Sequence, residues 1–207
     1  LSAGKFEDAL QTAQALQSLQ PRSAEAILME GIAYEALKRP ADARKAYERA
    51  LAIVPVSEDA VVAAARLDVA EGKSAQALQR IDEALARQPD SAALHAVRGD
   101  VLLAQRRPQE AARSYTAALQ ASPGWVQPYR SLSMTYRFMG QGDKAIDTLR
   151  RGVAATNGSE VLALDLGTEL ERAGRHDEAI KVFEGMLAKN PQQQVAVNNL
   201  AMILANY

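Results

Sequence analysis

The 207-residue sequence predicts an all-α fold of tandem antiparallel helix pairs, and three observations support it. Ala, Leu, Gln, Arg and Glu dominate while β-branched and aromatic residues are sparse, a bias toward helix over strand. Prolines recur at a period of 34: Pro21, Pro55, Pro89, Pro123 and Pro191 keep this spacing or a multiple of it, and only the slot at Asn157 departs. Ala9, Ala43, Ala77, Ala111, Ala145 and Ala179 form an unbroken series twelve residues before each slot, which marks a place where only a small side chain fits.

With the proline slot as position 32, residues 1–23 are a partial repeat holding a second helix, and five full repeats follow at 24–57, 58–91, 92–125, 126–159 and 160–193. Residues 194–207 are the first helix of a truncated sixth, so about 12 helices are expected in one continuous array. In each repeat, apolar or small residues at positions 4, 7, 8 and 11 give one helical stripe, and a second runs through positions 20, 24 and 27. Between them, Gly4, Gly72, Gly140 and Gly174 occupy position 15, where a helix end takes positive φ without a Cβ penalty. The other two repeats place Pro40 and Pro108 at position 17, in the first turn of the next helix, as an alternative to that glycine. Position 8 carries Gly31, Ala65, Gly99, Ser133, Gly167 and Ala201, small enough for two helices to approach closely.

The pattern resembles the tetratricopeptide repeat. Ile27, Gly31, Tyr34, Ala43, Tyr47, Ala50 and Pro55 fill that family's slots almost completely, and Tyr115, Tyr136 and Phe183 recur at its aromatic positions. Asp68, His95, Gly152, Asn157 and Met186 depart from it. His95 is expected to be a packed core histidine, and Gly152 with the Asn157–Gly158 pair to make the softest junction between repeats. Trp125 beside Tyr129 reads as packing at a turn. The resemblance implies a right-handed superhelical solenoid whose first helices line a concave groove for an extended peptide or a partner helix.

The family's inward positions single out Arg66, Asp100, Arg130, Met134, Arg137, Phe138, Asp165, Asn198 and Asn199 as candidate partner-binding residues. The groove begins apolar, with Met29, Ile32, Val62, Ala63 and Val69, and becomes mixed and charged, with Val97 between. Arg66 and Asp100, one period apart, are expected to be neighbours able to pair. Arg130, Arg137 and Phe138 combine guanidinium and aromatic groups, the composition of binding hot spots. No three successive repeats carry the Lys and Asn set that grips chaperone C-terminal tails. The Asn series of glycosyltransferase arms is also missing, with Asn199 alone in that slot.

A net charge of −1 provides no basic footprint for nucleic acid, and no stretch reaches the length of a membrane span. There is no cysteine, and neither His95 nor His176 has a metal-ligand partner at helical spacing, so no metal, cofactor or catalytic centre is expected. Asp165, Glu169 and Glu171 read as a solvated helix face. The closing phrase NNLAMILANY is similar to bacterial cell-envelope repeat proteins of exopolysaccharide export, which implies an envelope scaffold rather than an enzyme. The alternatives are the recruiting arm of a glycosyltransferase or a self-assembly module. Asn198 and Asn199 fall beside, not within, a stripe formed by Val197, Leu200, Ala201 and Leu204. Leu1 at position 12 and Tyr207 at position 14 are expected to be cut ends of a longer array. Exposed apolar ends of this kind can join copies of the chain.

Overall fold

The computed structural model describes residues 3–206, which hold twelve helices and no strand. The expectations placed on Leu1 and Tyr207 lie outside the described residues. The chain forms two compact units, residues 1–105 and 106–207, a division that falls inside the third repeat.

The first unit holds α1 (Ala3–Leu19), α2 (Ala24–Ala36), α3 (Pro40–Ile53), α4 (Glu58–Ala70), α5 (Ser74–Leu85) and α6 (Ala92–Ala104). The helices that open its repeats start alike. Ser23, Ser57 and Ser91, all at position 34, take extended backbone and accept a hydrogen bond from the N–H three residues on, a cap whose loss typically costs about 1 kcal/mol. Ser91 also donates to Glu58 at the start of α4, and Gln88 donates to the Val56 carbonyl, so successive repeats are tied through their caps.

Helix ends are also alike, but not in the way the glycines suggest. Gly72 is left-handed with φ 77°, and the next N–H, of Lys73, reaches back 2.7 Å to the Asp68 carbonyl. Lys38 does the same with φ 62°, while Arg39 N–H lies 2.8 Å from the Tyr34 carbonyl. Arg106 has φ 58°. Pro40 and Pro108 therefore do not replace the left-handed turn; they follow it and open the next helix, α3 (Pro40–Ile53) and α7 (Pro108–Ala121). Gly4 lies in the first turn of α1, with no turn before it among the described residues.

The alanine period marks the core. Ala43 and Ala77 are completely buried, whereas Ala9 is exposed because no described helix covers it. Gly31 allows α2 onto α3: a Cβ there would lie 2.4 Å from Cε1 of Tyr47. Tyr47 is itself buried and donates 2.8 Å to Glu35, and burial followed by the Glu35 carboxylate pushes its phenol far above the ordinary range. Val97, read as a groove residue, is in the core. His95 is only half-buried; its Nε2 bonds the Pro89 carbonyl at 2.8 Å, so it ties down the preceding turn instead of filling the core.

Asp68 replaces the expected tyrosine and is fully buried. Arg44 of α3 reaches it at 2.7 Å and Arg80 of α5 at 3.4 Å, with Glu71 and Glu48 holding the far sides of the two guanidiniums. A carboxylate is tolerated there because charge arrives from both neighbouring helices.

The second unit holds α7 (Pro108–Ala121), α8 (Val126–Phe138), α9 (Gly142–Ala155), α10 (Glu160–Arg172), α11 (His176–Lys189) and α12 (Gln194–Asn206). Gly167 repeats the close approach, with a Cβ there 2.5 Å from Cζ of Phe183. Gly152 departs from alanine for a packing reason, since a Cβ would meet the Tyr129 ring at 2.8 Å and Leu162 at 2.9 Å. The following junction is a bonded turn: Asn157 and Gly158 are both left-handed, and Gly158 N–H reaches the Val153 carbonyl at 2.8 Å. The Thr156 hydroxyl donates 2.7 Å to the Gly152 carbonyl and accepts from Ser159 N–H. In α12, Ala196 and Ile203 are buried while Val197 and Leu204 face outward, with no described helix over them.

Candidate functional site

Four of the nine candidate residues come together in one cleft of the second unit. Arg130, Ser133, Met134 and Arg137 line it from α8, and Asp165, Thr168 and Glu169 from α10, with Leu149 at its base. The spacing explains the convergence, because i, i+3, i+4 and i+7 share one helix face and i, i+3 and i+4 the face opposite.

The electrostatics are set by two acids. Arg130 Nε donates 2.6 Å to Asp165 Oδ2. Arg137 and Arg172 both donate to the same Glu169 oxygen, at 2.7 and 2.5 Å. Glu169 is buried, whereas the Arg137 side chain keeps 44% of its surface exposed. In the lining two guanidiniums meet two carboxylates, and Arg172, outside the lining, adds a third guanidinium on Glu169. Met134, 56% exposed, adds an apolar contact, and Phe138, 74% exposed, ends α8 just beyond the cleft lining. Such a surface is suited to an anionic or hydrogen-bond-accepting group beside an apolar one, since a guanidinium offers planar, paired donors.

The other candidates lie elsewhere. Asn198 is exposed and Asn199 half-buried on α12, and neither lines the cleft. Arg66, in the first unit, lines a separate, more open depression with Ile32, Asp59 and Val62, beside exposed Met29. Arg66 and Asp100 are both exposed, and Asp100 does not line that depression. Conversely, Glu169 reads from the sequence as a solvated residue, yet it is the acid that organises the cleft. Its signal is a position 32 residues after Arg137, on the facing helix.

Among the described residues no group of His, Asp or Glu is placed to hold a metal ion, and no helix is long and apolar enough to cross a membrane.

Two tetratricopeptide repeat profiles match the sequence, one over residues 1–58, 62–124 and 164–206 and the other over 102–164. No curated protein matches it. Similar solved structures include PilW, a widely conserved type IV pilus biogenesis factor, 19% identical with a TM-score of 0.73 over 96% of this chain and 90% of that one. TTC0263, a tetratricopeptide protein of Thermus thermophilus, is 22% identical with a TM-score of 0.61 over 88% and 100%. YrrB, described as having an unusual peptide-binding site, is 15% identical with a TM-score of 0.58 over 92% and 98%. At these identities the likeness shows the all-α repeat fold alone. Proteins with this repeat are generally scaffolds for protein–protein interaction. With its helix pairs, its 34-residue period and the profile matches in agreement, the chain belongs to the tetratricopeptide repeat family.

Proposed function

We propose that the chain is a non-catalytic scaffold that holds a peptide or partner helix, and that the α8–α10 cleft is where the partner's acidic group is anchored. The observation that carries this is the sharing of Glu169 by Arg137 and Arg172, which leaves guanidinium charge beside exposed Met134 and Phe138. Capture of the partner from the source organism's extract with wild type and with an Arg137→Ala, Phe138→Ala double variant tests it. The double variant is expected to lose at least tenfold in partner recovery while keeping its helical circular dichroism. Unchanged recovery defeats the assignment.

Placement in a bacterial envelope system of exopolysaccharide export rests on the NNLAMILANY phrase. Reading the gene on both sides tests it: a lipoprotein signal encoded upstream of Leu1 would support it, and a catalytic domain encoded after Tyr207 would replace it with the recruiting-arm role. Self-assembly is the second role a specific observation favours, because Val197 and Leu204, seven residues apart on one face of α12, are both exposed. Concentration-dependent sedimentation abolished by Leu204→Glu supports that role; a monomer at all concentrations excludes it.

A further inference from the structure

The second unit contains a cavity that the α8–α10 cleft does not share. It lies between α9, α10 and α11, is open on one side and has a volume of about 400 Å³, within the range of small-molecule sites. The first unit has the same place three repeats earlier, lined from α3, α4 and α5, and there the volume is about 160 Å³.

The difference follows from side chains at matching repeat positions. Val56, Val61 and Glu83 of the first unit correspond to Gly158, Ala163 and Gly185 of the second, so bulk is removed at three points of the wall. Arg80, held between Glu48 and Asp68, corresponds to Val182, which turns a charged wall apolar. The floor is Val153, Leu166 and Met186. At the rim stand Lys181, Lys189 and Glu160, two cations against one anion, and neither lysine has an ion pair among the described residues. Lys189 lies over the opening: a Cβ on Gly158 would be 2.9 Å from its Nζ.

We propose that this cavity is a binding site for a small apolar carboxylic acid of the medium-chain alkanoate type, its chain against Val153, Leu166 and Met186 and its carboxylate at Lys189 and Lys181. An apolar interior with an ammonium at its mouth is complementary to that class and to neither a neutral lipid nor a cation. The site is independent of the α8–α10 cleft, with which it shares no lining residue.

Octanoate titrated into the 15N-labelled chain tests this. Saturable shifts of the Gly158, Ala163 and Gly185 amides are expected, with octanamide binding at least fivefold more weakly. Lys181→Gln with Lys189→Gln should bring octanoate down to the octanamide level. Ala163→Val with Gly185→Glu, which installs the first unit's residues, should abolish the shifts with the melting temperature held within about 3 °C. If the double variant does not fold, Ala163→Val alone should weaken binding at least threefold. Absence of saturable shifts, equal binding of acid and amide, unimpaired binding by the filled variant, or tighter binding of the peptide acetyl-Gly-Leu-Glu-Gly-amide than of octanoate would each overturn the assignment.

Discussion

Each unit contains a carboxylate held by two arginines, and the two arrangements serve different ends. Asp68 in the first unit is fully buried, and its partners Arg44 and Arg80 keep only 23% and 17% of their side-chain surface. Glu169 in the second is also buried, but its partners Arg137 and Arg172 keep 44% and 53%. In the first, both signs of charge are withdrawn from water and fix three helices together. In the second, the acid is an anchor that leaves the cations presented to solvent. The lesson is that solvent access of the arginines, rather than the count of ion pairs, separates a structural node from a binding surface.

Removing the acids should separate them most. Asp68→Ala leaves Arg44 and Arg80 to Glu71 and Glu48 alone, with their inner sides unpaired, and is expected to cost roughly 3 kcal/mol in urea unfolding. Glu169→Ala releases arginines that already reach water and should cost about 1 kcal/mol. Equal losses would erase the distinction. Next come the glycines that set helix approach in each unit. Gly31→Ala and Gly167→Ala force a methyl into the Tyr47 and Phe183 rings, and each should lose about 2–3 kcal/mol; a markedly smaller loss in one would identify the unit whose core can yield. Smaller still, Lys38→Gly relieves a left-handed lysine and should raise stability by about 0.5–1 kcal/mol, whereas Gly72→Ala at the matching turn should lower it by about 1.

The smallest effect is in acid. Hydrogen bonds from Lys73 and then Arg44 hold Glu71 below its ordinary value of 4.5, and Arg175 does the same for Glu178 in the second unit. A carboxylate depressed in the folded state contributes stability above its unfolded pKa, and that contribution disappears as pH falls through the folded value. Both units should therefore keep their helicity down to the ordinary carboxylate range and weaken below it. Glu71→Gln and Glu178→Gln should each flatten that acid slope in circular dichroism, and an unchanged slope would remove these pairs from the account.

The proline and alanine periods made the helix pairs legible, since both types act through local backbone geometry and close packing. The left-handed turns at Lys38 and Arg106 were not legible, because lysine and arginine carry no signal for that conformation; the surrounding hydrogen bonds impose it. Asp68 stood out as a departure, but its partners lie at positions 21 and 23 of different repeats and only packing brings them in. In the cleft, Arg130 pairs 35 residues away and Arg137 pairs 32 away, on either side of the 34-residue period. Long side chains choose partners by reach and angle, so a strict period locates helices better than it locates ion pairs. The division at residue 105 had no composition shift to announce it.

The serine caps have a further consequence. Ser91 starts α6 and at the same time grips Glu58 at the start of α4, while Gln88 holds the Val56 carbonyl just before it. Fraying at α6 therefore loosens the first turn of α4, so an opening that begins at one repeat is handed to the next like a zip fastener. Heat or force should release this stretch as a single block, without a resting place between the two helices.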